Sequence, residues 1–385
     1  MVTSNKDIGI IGGGIGGFAS AIAFAKYGYR VTVFEKSAVI NELGAGIQIS
    51  SNGVNALSKL GVFPKYLKKV VFPNSIIFKD YKTAEHITKI QHNQNSDLPY
   101  LHLHRSDLIH ALASCAEDLG VNIKLASEAK VIESKDMASK IKANNHIYDF
   151  DLIVAADGMN SRIRQYWFGE KPACFMNQIA WRALIPSNGI KIDPSVYMGK
   201  NKHLVIYPLR DGELINIIGV QSNKNIAPQS WTNKGSTRDF FNEFSDFNTE
   251  AKHILSKIKE VKLWGLYSLS PLKSWSNRGV VLVGDAAHPM LPFMAQGSCM
   301  ALEDAVVLAR DFKETHDINN ALIKYEKNRK RRVKSIQKTS KNNGKIFHIS
   351  NNLLRKIVHF SMRSISRLFP LFLENRFRWI YKYRA

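Results

Sequence analysis

Cysteine is scarce in this chain, and so are the patterns that cysteines form in metal sites and disulfide frameworks. The 385 residues include three cysteines, Cys115, Cys174 and Cys299, without a CxxC or Cys/His spacing. A sparse, odd number of cysteines fits a reducing compartment. We therefore expect a cytoplasmic protein without a metal site.

Long apolar runs are also missing. No stretch of roughly 18 or more apolar residues occurs in the sequence, which argues against a membrane-spanning helix. Glycines interrupt the apolar N-terminus, so it does not resemble a signal peptide. The length of the chain, with 45% hydrophobic residues, suits a cofactor domain that carries an inserted second domain.

Acidic residues are nearly absent from the last part of the chain. Residues 321–385 hold 18 Lys and Arg against Glu326 and Glu374, and the whole chain has a net charge of +22. The densest basic group, Lys327–Arg332, could form a patch for nucleic acid or an anionic membrane, or it could be the solvated face of a long helix. Apolar residues interleaved between 353 and 369 predict an amphipathic segment. Peripheral membrane contact through this basic tail therefore stays open, whereas we expect no nucleic-acid partner.

What the chain does contain begins with a glycine turn between a short apolar strand and a helix. Gly12, Gly14 and Gly17 follow the spacing GxGxxG. Glycines permit the tight turn, and backbone N–H groups at the helix start can meet a pyrophosphate. A second strand ends at Glu35, about 20 residues further on, where an acceptor for a ribose hydroxyl belongs. The alternative is a glycine turn without a nucleotide. The pattern favours a Rossmann-like domain for FAD or NAD, with contacts from Gly12, Gly14, Ile15, Gly16, Gly17, Glu35 and Lys36.

Two further apolar strands end at an aspartate. The segment 151–156 leads into Asp157-Gly158, and the segment 279–284 leads into Asp285. Taken singly, each could be an ordinary turn. Together with the glycine turn, they give polar ends to strands that one extended ligand would need side by side.

These motifs, in this order, resemble the FAD-dependent aromatic-ring hydroxylases, the single-component class A flavoprotein monooxygenases. Within that class the likeness is greatest to the salicylate and 3-hydroxybenzoate hydroxylase group. It extends over nearly the whole chain and includes Gly46-Ile47, His104-Arg105, Trp181-Arg182, His203–Arg210 and Asn343–His348. The resemblance implies an α/β fold: a Rossmann-like FAD-binding domain at 1–75, 101–175 and 276–320, an inserted antiparallel β-sheet substrate domain at 76–100 and 176–275, and a basic helical region at 321–385.

The resemblance also implies how FAD would lie. Glu35 would bind the adenosine ribose, Arg105 would lie near the pyrophosphate and ribityl chain, and Asp285 would bind the ribityl hydroxyls. The segment 292–298 would pass beside the isoalloxazine, with the positive end of a helix directed at the flavin. The implied cofactor residues, beyond those of the glycine turn, are Gly46, Ile47, Arg105, Asp157, Gly158, Asp285, Pro292, Gln296, Gly297 and Ser298.

Only one dinucleotide fingerprint is present, so a second nucleotide would not be held permanently. The resemblance implies that NADH or NADPH reduces the flavin as a transient co-substrate near Asp157-Gly158, with Arg162 and Arg164 as candidate contacts. The reduced flavin would react with O2 to a C4a-hydroperoxyflavin, which would hydroxylate a small aromatic such as a phenol or a hydroxybenzoate-like acid.

The catalytic candidates rest on the same resemblance and on strand geometry. A base near the phenol would raise its reactivity, and His203 is our candidate; its alternative role is structural. A period of two places His203, Val205 and Tyr207 on one face of a strand. Tyr207 and Gln296 are candidates for contact with substrate or flavin, and each could instead serve packing.

Other polar residues have more than one interpretation. Arg182 could pair with a substrate carboxylate or belong to the framework. We expect His288 to brace the loop beside Asp285. His102 and His104 alternate on one strand, but no third metal ligand lies near them in the sequence.

Two other hypotheses remain from the sequence. The same fold could act on an isoprenoid or quinone-type lipid at a membrane surface, which the basic tail supports. The chain could also be a basic binding protein that uses FAD as a redox sensor, which salt-sensitive nucleic-acid binding would reveal. Both a monomer and a homodimer are compatible with the sequence.

Overall fold

The computed structural model describes residues 6–40, 45–92, 97–135, 138–169, 172–228, 233–315 and 317–385. Residues 1–5, 41–44, 136–137, 170–171 and 316 of the predicted FAD-binding domain lie outside this part, as do residues 93–96 and 229–232 of the predicted substrate domain. The strands are β1 Asp7–Ile11, β2 Arg30–Phe34, β3 Gly46–Ile49, β4 Ser75–Asp80, β5 His86–Gln91, β6 Leu101–His104, β7 Asn122–Lys124, β8 Ala129–Lys135, β9 Ala138–Ala143, β10 His146–Phe150, β11 Leu152–Ala155, β12 Cys174–Pro186, β13 Ser195–Met198, β14 Lys202–Leu209, β15 Leu214–Ser222, β16 Lys234–Gly235, β17 Val261–Ser268, β18 Ser276–Asn277 and β19 Val280–Leu282.

The α-helices include a long C-terminal set. They are α1 Ile15–Lys26, α2 Ser51–Leu60, α3 Arg105–Asp118, α4 Arg162–Phe168, α5 Thr237–Glu243, α6 Thr249–Leu255, α7 Gly297–Glu314, α8 Ile318–Phe347, α9 Asn352–Leu368 and α10 Pro370–Tyr381. The helical region predicted after residue 320 is therefore present. Among the described helices, none combines the length and the apolar composition needed to cross a bilayer.

The first sheet has the strand order β18-β19-β11-β1-β2-β7. β1 pairs in parallel with both β2 and β11, and β19 adds in parallel beyond β11. The residues of β11 are all buried, as expected for a parallel strand covered on both faces. A three-stranded sheet, β10-β9-β8, covers one face, because Gly9 of β1 lies against Phe150 and Ile141.

The second sheet has the order β16-β17-β12-β15-β14-β13-β4-β5 and is antiparallel except for the pair β13 and β4. Its alternating side chains form two apolar layers. One layer contains Trp181 and packs on Phe240 of α5 and on Phe244, which follows that helix, and the other contains Ala180 and Val220. Strands from 75–91 and 174–268 supply this sheet, while the exact domain limits stay a prediction.

The basic group Lys327–Arg332 lies on the long helix α8 and divides between the surface, where Lys327 and Arg331 are exposed, and the interior. Arg329 is 0% exposed and pairs with Glu303 at 2.6 Å and Asp304 at 2.7 Å. Arg332 also pairs with Glu303, at 2.7 Å. The acidic partners of Arg329 and Arg332 lie on α7, so they are not seen beside these arginines in the sequence. The two arginines hold α8 on α7.

Candidate active site

The parallel strands of the first sheet bring the predicted polar residues to one edge. Gly12 follows β1, Glu35 follows β2, Asp157 follows β11 and Asp285 follows β19. Because β1 lies between β2 and β11, the chain leaves the sheet in opposite directions on either side of β1. A crevice at such a reversal is where open α/β sheets bind extended ligands.

The glycine turn is shaped for close approach of a ligand. Gly12 has φ +107°, and a Cβ there would lie 2.4 Å from the carbonyl oxygen of Ala156. A Cβ at Gly17 would lie 1.8 Å from the carbonyl oxygen of Gly12. α1 begins at Ile15, and no side chain caps its N-terminus at Gly14. Its first N–H groups can therefore meet an anionic group.

Glu35 lies at this turn, as its position after β2 predicts. Its Oε2 accepts a hydrogen bond from the backbone N–H of Gly13 at 2.7 Å, and its Oε1 accepts one from Ser37 at 2.8 Å. Lys36 beside it is exposed. The carboxylate is held by the turn and can also accept from a ribose hydroxyl.

Asp157 has a buried carboxylate oxygen that points to a polar ligand. Its Oδ2 accepts a long hydrogen bond from the N–H of Ile163, at 3.5 Å, but its buried Oδ1 has no partner among the described residues. Burial raises the pKa of this carboxyl above its usual value. A buried carboxylate oxygen without a donor is costly, so a ligand with hydroxyl or amide donors fits this site. Gly158, with φ +79°, continues the turn.

The two arginines after Asp157 have different environments. Arg162 is exposed and pairs with Glu128 at 2.7 Å. Arg164 is 0% exposed and donates hydrogen bonds to the carbonyl oxygens of Ala286 and Ala287. The structure therefore gives Arg164 a framework contact, as a clamp on the Asp285 loop, and its contact with a nicotinamide nucleotide stays a prediction.

The Asp285 loop meets the start of α7. Asp285 is exposed, and a Cβ built on Gly297 would lie 3.9 Å from its Oδ1. Pro292 is exposed, and Gly297 and Ser298 are half-buried. An exposed carboxylate thus lies beside the positive end of an 18-residue helix. Polyhydroxyl and anionic groups could both be bound here.

Gln296 lies at the same helix start but turns inward. Its Nε2 donates to Ser50 Oγ at 2.8 Å, and its Oε1 accepts from Asn52 Nδ2 at 2.9 Å. Asn52 also donates to Glu303 at 2.8 Å. The structure gives this side chain a framework contact, and the predicted catalytic role of Gln296 stays a prediction.

His288 braces the same loop, as predicted. Its Nε2 donates to Asp304 Oδ2 at 2.6 Å, and Asp304 also accepts from the N–H of Gly284 at 3.0 Å. Burial favours the protonated acid, but the charges of His288 and Arg329 outweigh it and hold the pKa of Asp304 at about 2. The loop after β19 is therefore fixed to α7 by an ionised carboxylate.

The two sheets meet at Gly46. Its N–H donates to Asn216 Oδ1 at 2.9 Å, and a Cβ there would lie 2.8 Å from Tyr207 Oη. Ile47 follows in β3, which pairs with β6, and the N–H of Arg105 donates to Ala45 at 2.8 Å. The predicted residues Gly46, Arg105 and Tyr207 thus gather where the cofactor crevice touches the second sheet.

One face of the second sheet carries the remaining candidates. His203 lies opposite Val220 and Tyr207 opposite Asn216 in the pairing of β14 with β15. Arg182 is paired with Ile218 of β15, so it lies on the same face. Its Nε has no partner among the described residues, and its guanidinium packs 5.4 Å over the ring of Trp264. Burial, and then the charge of Arg105, lower the pKa of Arg182.

His203 has a partner that sequence reasoning missed. Its Nδ1 lies 2.7 Å from Nε2 of His348, the residue that ends α8. His203 is 3% exposed, and its ring packs 5.6 Å from that of Phe293 in the 292–298 segment. Burial, followed by the repulsion that would arise if both imidazoles were protonated, holds the pKa of His203 well below its ordinary value. Burial alone lowers the pKa of His348 to about 4. Both imidazoles are therefore neutral at neutral pH.

A cleft of about 460 Å³ opens beside this pair. Its lining combines His348 with Gln178, whose side-chain amide contacts His348 Nδ1 at 3.1 Å. The exposed Lys341 and Lys345 also line it. The cleft connects His348 with solvent, and its two exposed lysines bring positive charge to it.

The other histidine pair serves packing. The ring of His102 lies 4.6 Å from that of Tyr207, and His104 Nδ1 lies 2.6 Å from Ser106 Oγ. Within the described residues, no group of three or more His, Cys, Asp or Glu is arranged to hold a metal ion.

Comparison with known proteins agrees with this geometry. Residues 5–340 match the family described as "FAD binding domain". The chain is 30% identical over 353 residues to 3-hydroxybenzoate 6-hydroxylase of Klebsiella oxytoca, with 88% of each chain covered. It is 29% identical to 6-hydroxynicotinate 3-monooxygenase of Bordetella bronchiseptica, with 87% of this chain and 91% of the relative covered.

Solved structures show the same fold. A salicylate hydroxylase in complex with its substrate superposes with a TM-score of 0.83 at 22% identity, covering 99% of this chain and 96% of the other. Klebsiella pneumoniae HpxO, complexed with FAD and uric acid, also gives 0.83 at 22% identity, with 95% of each chain covered. These likenesses confirm the predicted α/β architecture.

The fold and the crevice define a flavoprotein monooxygenase of the aromatic hydroxylase class. The chain belongs to the FAD binding domain family. FAD is its cofactor, NADH or NADPH is the co-substrate typical of the family, and aromatic hydroxylation is supported over the lipid-directed alternative.

Proposed function

We propose that this enzyme hydroxylates a small phenolic ring that carries an acidic group, using NADH or NADPH and O2. The observation that carries the proposal is the buried pair of His203 and His348. It places a neutral imidazole on the substrate-sheet face that meets the 292–298 segment. The relatives named above act on 3-hydroxybenzoate and 6-hydroxynicotinate, which are hydroxylated aromatic acids.

We propose that the crevice residues hold FAD in an extended form. Glu35 would bind the adenosine ribose, while Asp157 and Asp285 offer acceptors to the hydroxyls further along. The turn at Gly12 and the start of α7 offer N–H groups to the pyrophosphate and to the flavin. When bound, FAD supplies the activated oxygen that reaches the ring. The division of the chain at 1–75, 101–175 and 276–320 against 76–100 and 176–275 is part of this proposal.

His203 would remove the phenol proton. Burial opposes positive charge on this imidazole, so His203 would accept the phenol proton at Nε2 as its Nδ1 proton passes to His348. Loss of that proton raises the electron density of the ring, which favours attack by an electrophilic oxygen. Tyr207, on the same face four residues later, would orient the ring from the other end.

His348 would carry the proton away. The Nδ1 of His203 and the Nε2 of His348 share one hydrogen bond, so a proton gained on one side of His203 can be passed on from the other. His348 itself lines the cleft and is bonded there to Gln178. The pair would therefore let a proton leave the enclosed site for solvent without admitting water to that site.

Three cations near the proposed site are the reason that we expect an acidic group on the substrate. Lys341 and Lys345 line the cleft, and Arg182 lies on the inner face with Nε unsatisfied. A carboxylate on the substrate would be attracted by the lysines and could pair with the guanidinium.

The test is oxidation of NADH and of NADPH by FAD-loaded protein against a panel of phenolic acids, with oxygen uptake and product mass recorded. We expect stimulation by at least one phenolic acid and a product heavier by one oxygen. Matching phenols without the carboxylate are the control for the acidic group. The proposal fails if FAD-loaded protein oxidises neither nucleotide faster with any member of the panel.

A further inference from the structure

Helix α9 is attached to the molecule by its polar side. His359 Nδ1 lies 3.3 Å from Asp80, and Arg363 pairs with Glu85 at 3.0 Å. Near the end of the helix, Thr88 Oγ1 donates to Ser366 at 3.0 Å. These partners all belong to the β4–β5 hairpin.

The first turn of α9 follows the same pattern. The Arg355 guanidinium lies 5.0 Å over the ring of Tyr81, and Arg355 and His359 are each 6% exposed. Burial would raise the pKa of Asp80, but hydrogen bonds from His359 and from the backbone N–H groups of Lys82 and Thr83 hold it at about 2. This side of α9 is thus held to the hairpin by polar groups and by the Arg363–Glu85 ion pair.

The opposite side of α9 is apolar and faces solvent. Leu353, Ile357, Phe360 and Leu368 follow helical spacing and are 70%, 52%, 69% and 72% exposed. The exposed apolar residues continue across the junction into α10 with Phe369, Leu371 and Phe372, which are 63%, 54% and 52% exposed. We call these seven residues the apolar face of α9 and α10.

This arrangement is the reverse of an ordinary surface helix, which turns its apolar stripe inward. Single exposed apolar residues are common and carry no meaning. Seven large ones on one continuous surface mark a site of interaction. Since α9 has a polar anchor of its own, its orientation does not depend on burying the apolar residues.

The positive charge around this apolar face indicates what kind of partner it would bind. α9 contains no acidic residue, and the exposed Lys356 and Arg367 lie beside its apolar face. Residues 321–385 hold 18 cations against Glu326 and Glu374. A second copy of the chain would bring the same charge and be repelled. An anionic lipid surface would accept the apolar residues between its headgroups and attract the cations.

We propose that the apolar face of α9 and α10 docks the enzyme on an anionic lipid bilayer, with α9 lying in the plane of the headgroups. No described helix can span the membrane, so the contact is peripheral. The cleft is lined by Asn351 and Leu354 at the start of α9. Docking therefore brings the mouth of the cleft close to the lipid surface.

The experiment is flotation of the full-length, FAD-loaded protein with vesicles of phosphatidylcholine alone or mixed with phosphatidylglycerol. We expect the protein to float with the mixed vesicles, to stay behind with phosphatidylcholine alone, and to be released by salt. The double variant Phe360→Asp/Leu368→Asp should bind at least about tenfold more weakly, since it removes apolar contact and adds like charge to the lipid.

The matched control is Ile323→Asp, which changes a residue that is 63% exposed on α8, outside this face. It should bind vesicles as the unchanged protein does. FAD content and melting temperature should be the same in all three proteins, because the substituted side chains are exposed. Equal vesicle binding by the double variant, or no flotation of the unchanged protein, would overturn the proposal. So would a dimer, detected by sedimentation, that the double variant loses while vesicles remain unbound.

Discussion

His203 Nδ1 and His348 Nε2 lie 2.7 Å apart and join strand β14 to the end of α8 across 145 residues of sequence. The contact covers the His203 face of the second sheet with the end of a C-terminal helix. It also gives the proposed base a route to the cleft. The consequences of this pair can be tested separately from the assignment of the substrate.

Replacing the proposed base should slow hydroxylation without preventing substrate binding. We expect His203→Asn to lower kcat by about 10²–10⁴-fold at neutral pH. Part of the loss should be recovered at high pH, where the phenol ionises without help. The measurement is product formation against pH, with a substituted phenol of lower pKa as the control substrate. A loss that is independent of pH and of phenol acidity would show that His203 only packs.

The lowered histidine pKa values predict how stability depends on pH. In the unfolded chain a histidine binds a proton near pH 6.5, whereas folded His348 does so only near 4. Between these values the unfolded state binds more protons, so the free energy of unfolding should fall as the pH drops from about 6.5 to 4.

The variant His348→Gln isolates this contribution. The pH-dependent loss of stability should shrink by up to about 3 kcal/mol between pH 6.5 and 4, as judged by urea unfolding. His146→Gln, at an exposed strand residue, is the matched control and should leave the slope unchanged. An unaltered slope in His348→Gln would mean that this imidazole is protonated in the folded protein.

The glycine turn should not tolerate a side chain. Gly12→Ala requires a Cβ at 2.4 Å from Ala156 O at φ +107°, a strain of about 1–3 kcal/mol that a shift of the turn would relieve. We expect FAD affinity to fall at least about tenfold, measured by quenching of flavin fluorescence on titration. Gly28→Ala is the control, because that glycine also has a positive φ, +82°, but no atom within 4 Å of a Cβ. Equal FAD affinity of the two variants would contradict the role of the turn.

The buried cation of α8 should be essential for stability. Burial opposes its charge, but Glu303 and Asp304 outweigh burial and raise the pKa of Arg329. Arg329→Met leaves both carboxylates buried without that partner, which should cost about 3–5 kcal/mol. Lys327→Met removes an exposed cation two residues earlier and should change stability by less than about 0.5 kcal/mol. Urea unfolding of both variants gives the comparison, and similar midpoints would show that the network relaxes around the loss.

The cofactor crevice could be predicted because its determinants are local. The spacing from Gly12 to Glu35 specifies a strand, a turn and a helix within one short segment, and the strand ends at Asp157 and Asp285 repeat the pattern. Parallel pairing then brings them together without further information. The antiparallel second sheet followed from its alternation in the same way.

The missed features depend on partners distant in sequence. No local spacing marks His348 as a neighbour of His203. Similarly, the number of cations near Arg329 does not say which are paired, although the adjacent Glu303 and Asp304 within an apolar helix were a usable signal. Helix α6 and the β8–β10 sheet were missed because short, polar segments give weak periodicity.

The order of strands in the first sheet also constrains how the molecule is made. Ile8 pairs with Leu152, and Ile153 pairs with Val280, so on a growing chain one edge of β1 stays open until β11 is made, and the outer edge of β11 then stays open until β19 is made. The second sheet is largely synthesised within this interval. Non-local pairing of this kind is slow and leaves apolar edges open. We therefore expect the nucleotide crevice to form late. Until then, the open strand edge of one unfinished chain can pair with that of another.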